Sequence, residues 1–371
     1  MVEAMPVHTT HRMLVIIPKI DKTIIGVYYQ EKCILKATIP FEKGQQHAVS
    51  EAAIRQQQVL KKLNETGINL SRLNAVTSIG GLLRPVEGGT YKVNKEMLQD
   101  LINHYNGRHA SNLGGIIAAR IAADLHIPAY VIDPPVVDEM NDIARYSGYP
   151  GIERKSVFHA LNQKAAARNA AKEINLTYDT SNMLVAHIGN GISVAAHQQG
   201  KVIDVNNGLH GDGPFSLERA GALPSSALID LCYNQDSTKE NIIRDITFQG
   251  GLKGYLNVKD ISQIEDLLHN QDSSAIKIVE AMSYQISKEI GAMATVLTGN
   301  VDAIVLTGEF ATLKPLTDFI ISQISWIGDV LLFPGDAEMQ ALNAGTLRVL
   351  RNEESPKVYR ELKEKGVNYD E

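Results

Sequence analysis

Met183-Leu184-Val185-Ala186-His187-Ile188-Gly189-Asn190-Gly191-Ile192 is an apolar run that breaks at a pair of glycines and then resumes. It reads as a strand, a glycine-rich turn and a second strand through Ala196, followed by the turn Gln198-Gln199-Gly200 and a third strand, Val202 to Val205. The same order stands nearer the start. Met13 to Ile17 is an apolar strand, Pro18 to Lys22 a turn and Thr23 to Tyr29 a second strand, and a third follows the polar turn Gln30-Glu31-Lys32. One β-meander beginning at Met13 and again at Met183 predicts a duplicated domain.

Between the two copies the pattern changes to helical. Ala48 to Leu63, Lys95 to His104, Asn112 to Leu125 and His159 to Ile174 are alanine-rich or carry the 3.6-residue period. Short apolar strands, Ala75 to Ser78 and Ala129 to Ile132, separate them as parallel strands of an α/β sheet would. After the second meander come helices near Ser225 to Tyr233 and Ala275 to Leu297, then strands Ala303 to Thr307 and Val330 to Phe333. The final helix, about Ala337 to Arg351, has no strand after it in this reading and is expected to cross back onto the first lobe. The expected division is residues 12–140 with about 337–371 in one lobe and 141–336 in the other, the boundary falling near Met140 to Ser156.

Composition narrows the function. The chain has 371 residues, beyond the ~250–300 at which a single core stops growing, so two lobes are expected. A net charge of −6 and no Lys/Arg block longer than two residues argue against a nucleic-acid partner. Cys33 and Cys232 form no CxxC pair and are too few for a disulfide scaffold; both are read as reduced and buried. No stretch approaches the ~18 apolar residues of a membrane span, and the first ten residues lack the apolar region of a secretion signal. The expectation is a cytoplasmic enzyme.

The hairpin at Gly189 to Gly191 bears on chemistry. Glycines leave backbone N–H groups uncovered by Cβ atoms and tolerate φ > 0, so a phosphate can approach closely. Taken alone the motif reads equally well as a plain turn. His187 just before it and the strand-to-glycine junction Leu306-Thr307-Gly308 favour phosphate binding, although His187 alone reads as a hydrogen-bonded structural histidine.

Several longer stretches carry a family resemblance. They are GGLLRPVEGGTYKVN (Gly80 to Asn94), HASNLG (His109 to Gly114), VIDPPVVDEM (Val131 to Met140), ERKSVFHALNQKA (Glu153 to Ala165), GKVIDVNNGLHGDGPFSLERAG (Gly200 to Gly221) and VDAIVLTG (Val301 to Gly308). Together they resemble the butyrate kinases, acetokinases of the acetate and sugar kinase, heat-shock and actin superfamily. The resemblance implies a two-domain actin-like, ribonuclease H-like duplicated α/β fold with a central cleft, and a homodimer. It implies ATP and Mg²⁺ as cofactors and a short-chain carboxylate as substrate. His187, Gly189, Asn190, Gly191 and Gly308 would hold the nucleotide, and Arg219, His159 and Asp133 would be catalytic. His109 and Asn112 would meet the substrate, and Glu338 with Asp133 would meet the metal. Each has a plain rival reading: Asp133 precedes two prolines and suits a turn cap, while Arg219 and Glu338 suit a surface.

The chain departs from the family at its first meander. There the family carries a second phosphate loop of the type N-P-G-S-T-S-T-K, whereas this chain reads Ile17-Pro18-Lys19-Ile20-Asp21-Lys22-Thr23-Ile24. Only Pro18 and Thr23 match, and Lys19 or Lys22 is the candidate replacement for the lost cation. Ser78-Ile79 stands where Gly-Arg is usual. Glu309-Phe310 stands for Gly-Ile, expected to place a carboxylate and a ring against the adenosine.

Overall fold

Strand β1 (Arg12–Pro18) is apolar and almost wholly buried because both of its faces are covered, which is why it reads as an uninterrupted hydrophobic run. The computed structural model describes residues 10–42, 47–209, 211–234, 238–335 and 337–360. The chain forms two compact units: one extends to Val136 and takes in the segment returning at Ala337, and the other begins at Val137.

In the first unit β1 pairs antiparallel with β2 (Lys22–Tyr29), and β2 with β3 (Lys32–Pro40). Helix α1 (Ala48–Glu65) leads to β4 (Ala75–Ile79), which lies parallel to β1. The short β5 (Thr90–Lys92), then α2 (Lys95–Ile102), α3 (Asn112–Leu125) and β6 (Ala129–Ile132) follow. Helix α3 packs tightly on both sides: a Cβ at its Gly115 would stand 2.8 Å from Leu101 Cδ1 of α2, and Gly114 presses on Ser78 of the sheet. Ser78 is fully buried and donates its hydroxyl to the Ile16 carbonyl at 2.6 Å, so this position is part of the sheet.

The second unit opens with α4 (Ala160–Glu173) and repeats the meander as β7 (Asn182–Ile188), β8 (Ile192–Gln198) and β9 (Lys201–Val205). Helices α5 (Ser225–Cys232), α6 (Lys239–Phe248), α7 (Gly251–Leu256), α8 (Ile261–His269) and α9 (Ser273–Val296) lead to β10 (Ala303–Gly308), α10 (Lys314–Ile324) and β11 (Val330–Pro334). The sheet order is β11-β10-β7-β8-β9. The chain then returns to the first unit as α11 (Glu338–Leu350), packed on β1, β4 and β6, and β12 (Lys357–Val358). The seven strands there run β12-β5-β6-β4-β1-β2-β3.

The two orders superimpose. Reading inward from the meander edge, β3-β2-β1-β4-β6 has the same strand directions as β9-β8-β7-β10-β11. Even a register shift recurs at the outer pairing, between Val27 and Tyr28 in one copy and Ala196 and His197 in the other. The duplication is therefore structural as well as sequential.

Three expectations are corrected. A strand does follow the final helix: β12 is two residues long and pairs with β5, too short to show a period. Both cysteines are exposed, Cys33 at the edge strand β3 and Cys232 on α5. Phe310 is 1% exposed and belongs to the core of the second unit, so only Glu309 faces outward at that junction. Among the described residues no helix is long and apolar enough to cross a membrane.

Candidate active site

The pair Ile188 and Ile192 closes the β7–β8 hairpin around Gly189, Asn190 and Gly191, and the Gly189 N–H donates to the Gly191 carbonyl at 3.2 Å. Neither glycine takes a positive φ, contrary to the expectation. What glycine supplies is room. A Cβ on Gly191 would land on the Arg219 guanidinium, and one on Gly189 would come within 3.1 Å of His187 Nε2. Gly308, at the end of β10, does need its φ of 95°, and a Cβ there would crowd the backbone of Ile188.

Arg219 reaches the hairpin because its own segment is clasped to it. Ser216 Oγ donates to the Asn190 carbonyl at 2.5 Å and accepts the Arg219 N–H at 3.3 Å, while Arg219 Nη1 donates to the Gly208 carbonyl. Burial works against the guanidinium charge and lowers its pKa, and neighbouring Glu218 favours the charge. Arg219 is half-buried against the hairpin. With Ile192, Gly208, Asp212, Ser216 and Thr247 it lines a small, open pocket.

Beneath the hairpin two histidines meet that the sequence keeps 28 positions apart, at His159 and His187. Their rings stack with centroids 3.9 Å apart and planes 17° from parallel. His187 Nδ1 lies 2.8 Å from Asn162 Oδ1, which also accepts the Thr307 hydroxyl at 3.1 Å. His159 Nδ1 lies 2.9 Å from Ser193 Oγ. The first turn of α4 thus ties the ends of β7, β8 and β10 together through Asn162 and Gln163. A lone amide has no pattern in sequence, so neither residue is identifiable there, although both stand within the stretch Glu153 to Ala165.

The other expected residues lie in the first unit. Asp133, at the end of β6, has φ of +37° and is 2% exposed. Its Oδ1 accepts the Gly89 N–H at 2.7 Å while its own N–H donates to the Gly89 carbonyl at 3.0 Å, so it caps the turn before β5. His109 Nδ1 sits 2.7 Å from Ser111 Oγ and orders the start of α3. Asn112 is fully buried, accepting from the Leu82 N–H and donating to the Gly107 carbonyl. Its amide is spent on joining loops of its own unit, a structural task in place of the expected substrate contact.

Glu338 begins α11 and is bound by Lys19, whose Nζ lies 2.9 Å from Oε2. The hairpin carrying Lys19 is held from the other side by Arg55. That guanidinium is buried, donates to the Ile20 and Lys22 carbonyls and the Thr23 hydroxyl, pairs with Glu51, and stacks on Phe41 at 3.8 Å. The divalent cation implied by the resemblance does not fit here as a protein-held ion. Glu338 is already neutralised, Asp133 carries a backbone N–H, and no group of three or more His, Cys, Asp or Glu able to hold a metal occurs among the described residues.

The acetokinase family model matches residues 143–328. Among solved structures, acetate kinase from Porphyromonas gingivalis is similar with a TM-score of 0.74 and 18% identity, covering 92% of this chain and 100% of that one. A propionate kinase from Francisella tularensis subsp. tularensis SCHU S4 follows at 0.69 and 19%, covering 90% and 98%. Acetate kinase from Entamoeba histolytica gives 0.70 and 15%, covering 91% and 99%. At these identities the structural likeness speaks for the two-sheet α/β fold.

Proposed function

Because the chain belongs to the acetokinase family, whose reaction class is phosphoryl transfer between ATP and a carboxylate, we propose that it is an acyl kinase for butyrate or a branched short-chain analogue. The products are an acyl phosphate and ADP. The preference for butyrate over acetate is supported by the longer sequence stretches between Gly80 and Gly308. The same resemblance supports a cytoplasmic homodimer.

One observation carries the reading: the Arg219 guanidinium is pressed against Gly191 of the hairpin, with the stacked pair of His159 and His187 beneath it. A carboxylate is itself the nucleophile in this chemistry, so no strong base is required. What the reaction needs is donors placed where charge gathers on the equatorial oxygens. Arg219 supplies a fixed cation and His159 an N–H, while the hairpin glycines Gly189 and Gly191, with Gly308, let His187, Arg219 and the Ile188 backbone close in around the turn where the nucleotide phosphates would lie. ATP brings its own Mg²⁺, since such ions keep most of their water and bind through substrate phosphates. The test is incubation with ATP, Mg²⁺ and butyrate or isobutyrate under hydroxylamine trapping. Acyl hydroxamate above an Arg219→Ala control is the expected result; none above it overturns the reading.

A second reading is a catalytically impaired paralogue that binds nucleotide in a regulatory role. The Lys19–Glu338 pair favours it, because the hairpin that would hold the second phosphate loop is instead tied to its own unit. Calorimetric titration with ATP separates the two: binding without turnover supports this second reading.

A further inference from the structure

A hydrogen-bond chain runs through the core of the second unit from Tyr178 through His197, Gln163 and Ser193 to His159. Its polarity follows from one atom that can only accept. The Ser193 carbonyl oxygen lies 2.9 Å from the Gln163 side chain, so the Gln163 atom facing it is Nε2. The same nitrogen is 2.7 Å from Ser193 Oγ and spends its second N–H there. Gln163 Oε1 is then turned toward His197 Nε2, 3.0 Å away, and requires a proton on that nitrogen.

His197 is wholly buried, and burial, then the charges of Lys164 and Arg168, push its pKa well below the ordinary 6.5. It is neutral. With its one proton on Nε2, its Nδ1 accepts the Tyr178 hydroxyl at 2.9 Å. At the far end Ser193 Oγ already receives the Gln163 N–H, and the His159 backbone N–H approaches it at 3.5 Å. Its single hydroxyl proton is left for His159 Nδ1, at 2.9 Å. An imidazolium at His159 would instead aim a further donor at Ser193 Oγ, and would lay a cation against the stacked ring of His187.

We propose that Gln163 and Ser193 are positioning residues that hold His159 as a neutral imidazole with its proton on Nε2, presenting an N–H donor to the transferring phosphoryl group instead of a base. The assignment of a phosphoryl group as the recipient rests on the acyl kinase reading; the tautomer does not. Selecting a histidine tautomer through the partner of its other nitrogen is an established way to orient a catalytic ring.

Protein labelled with ¹⁵N at histidine, free of substrate and at neutral pH, tests this. The His159 signals are assigned by their loss in His159→Gln. The expected spectrum has a bare, acceptor-type Nδ1 and a protonated Nε2. A proton on Nδ1, alone or with Nε2, overturns the proposal. In Ser193→Ala, which removes only the hydroxyl, the signals are expected to shift toward a mixture of tautomers, with a loss in kcat while KM for ATP holds. A pure Nε2–H form surviving in Ser193→Ala overturns the role of Ser193. If the spectrum is as expected but no acyl hydroxamate forms, the acyl kinase reading fails and the tautomer assignment stands.

Discussion

Lys19 Nζ and Glu338 Oε2 lie 2.9 Å apart, joining the first hairpin to the start of the returning helix across 319 positions of chain. The pair is partly exposed, with 40% and 20% of the two side chains reached by solvent, so its contribution to stability is small. Its effect is on charge: it leaves Glu338 neutralised. In Lys19→Met the carboxylate loses that cation. The expected outcome is a stability change below about 1 kcal/mol, read as a shift in the urea midpoint. A larger shift would show that the pair does more than join the hairpin to the helix.

Gly191 is where the hairpin admits Arg219. A methyl group there lands on the guanidinium and must displace it. Gly191→Ala is expected to reduce acyl phosphate formation to the level of Arg219→Ala, a loss of about 10²–10³-fold if one charge-stabilising donor is removed. Hydroxamate trapping measures both. Full activity in Gly191→Ala would place the working position of Arg219 elsewhere.

Arg55 tests the rigidity of the first hairpin. Its guanidinium is 0% exposed and serves two carbonyls, a hydroxyl and the Glu51 carboxylate at once. Arg55→Met leaves the buried Thr23 hydroxyl, the partly buried carbonyls and the Glu51 carboxylate without their donor, and is expected to cost about 3–5 kcal/mol, measured as a fall in the urea midpoint.

His197 makes stability depend on pH. Its folded pKa lies below 6.5, so above that value neither the folded nor the unfolded chain binds a proton there. As pH falls below 6.5 the unfolded chain gains a proton that the folded chain refuses, and stability is lost by up to about 1.4 kcal/mol per pH unit from this group. Urea midpoints measured at about pH 7 and about pH 5.5 are expected to differ less in His197→Gln than in the unaltered protein. An equal difference in both would assign the acid sensitivity to other groups.

Much of the fold was legible. Helix α3 and strand β6 begin and end at Asn112, Leu125, Ala129 and Ile132 as the 3.6-residue period and the short apolar run predict. Both meanders stand where their strands and turns repeat. Helices α6 to α8 leave little trace in the sequence. They are short, from six to ten residues, and bury few positions: only Thr247 in α6, two residues in α7 and two in α8. A helix that buries so little leaves a weak period.

The site was legible in its parts only. Arg219, His159, His187 and the hairpin glycines stand in recognisable stretches, but Gln163 and Ser193 are common residues without a pattern.

Hydrophobic periodicity and the chemistry of the glycine turn are written within a few residues, and the repeat at Met13 and Met183 emerges from comparing two such stretches, so all three are readable in the chain alone. Tertiary structure decided the rest: that Gly191 makes room for Arg219, that Lys19 takes Glu338, and which nitrogen of His159 faces a hydroxyl. The physical reason is directional. A hydrogen-bond chain takes its polarity from an acceptor-only atom, here the Ser193 carbonyl, and only folding brings Gln163 against it.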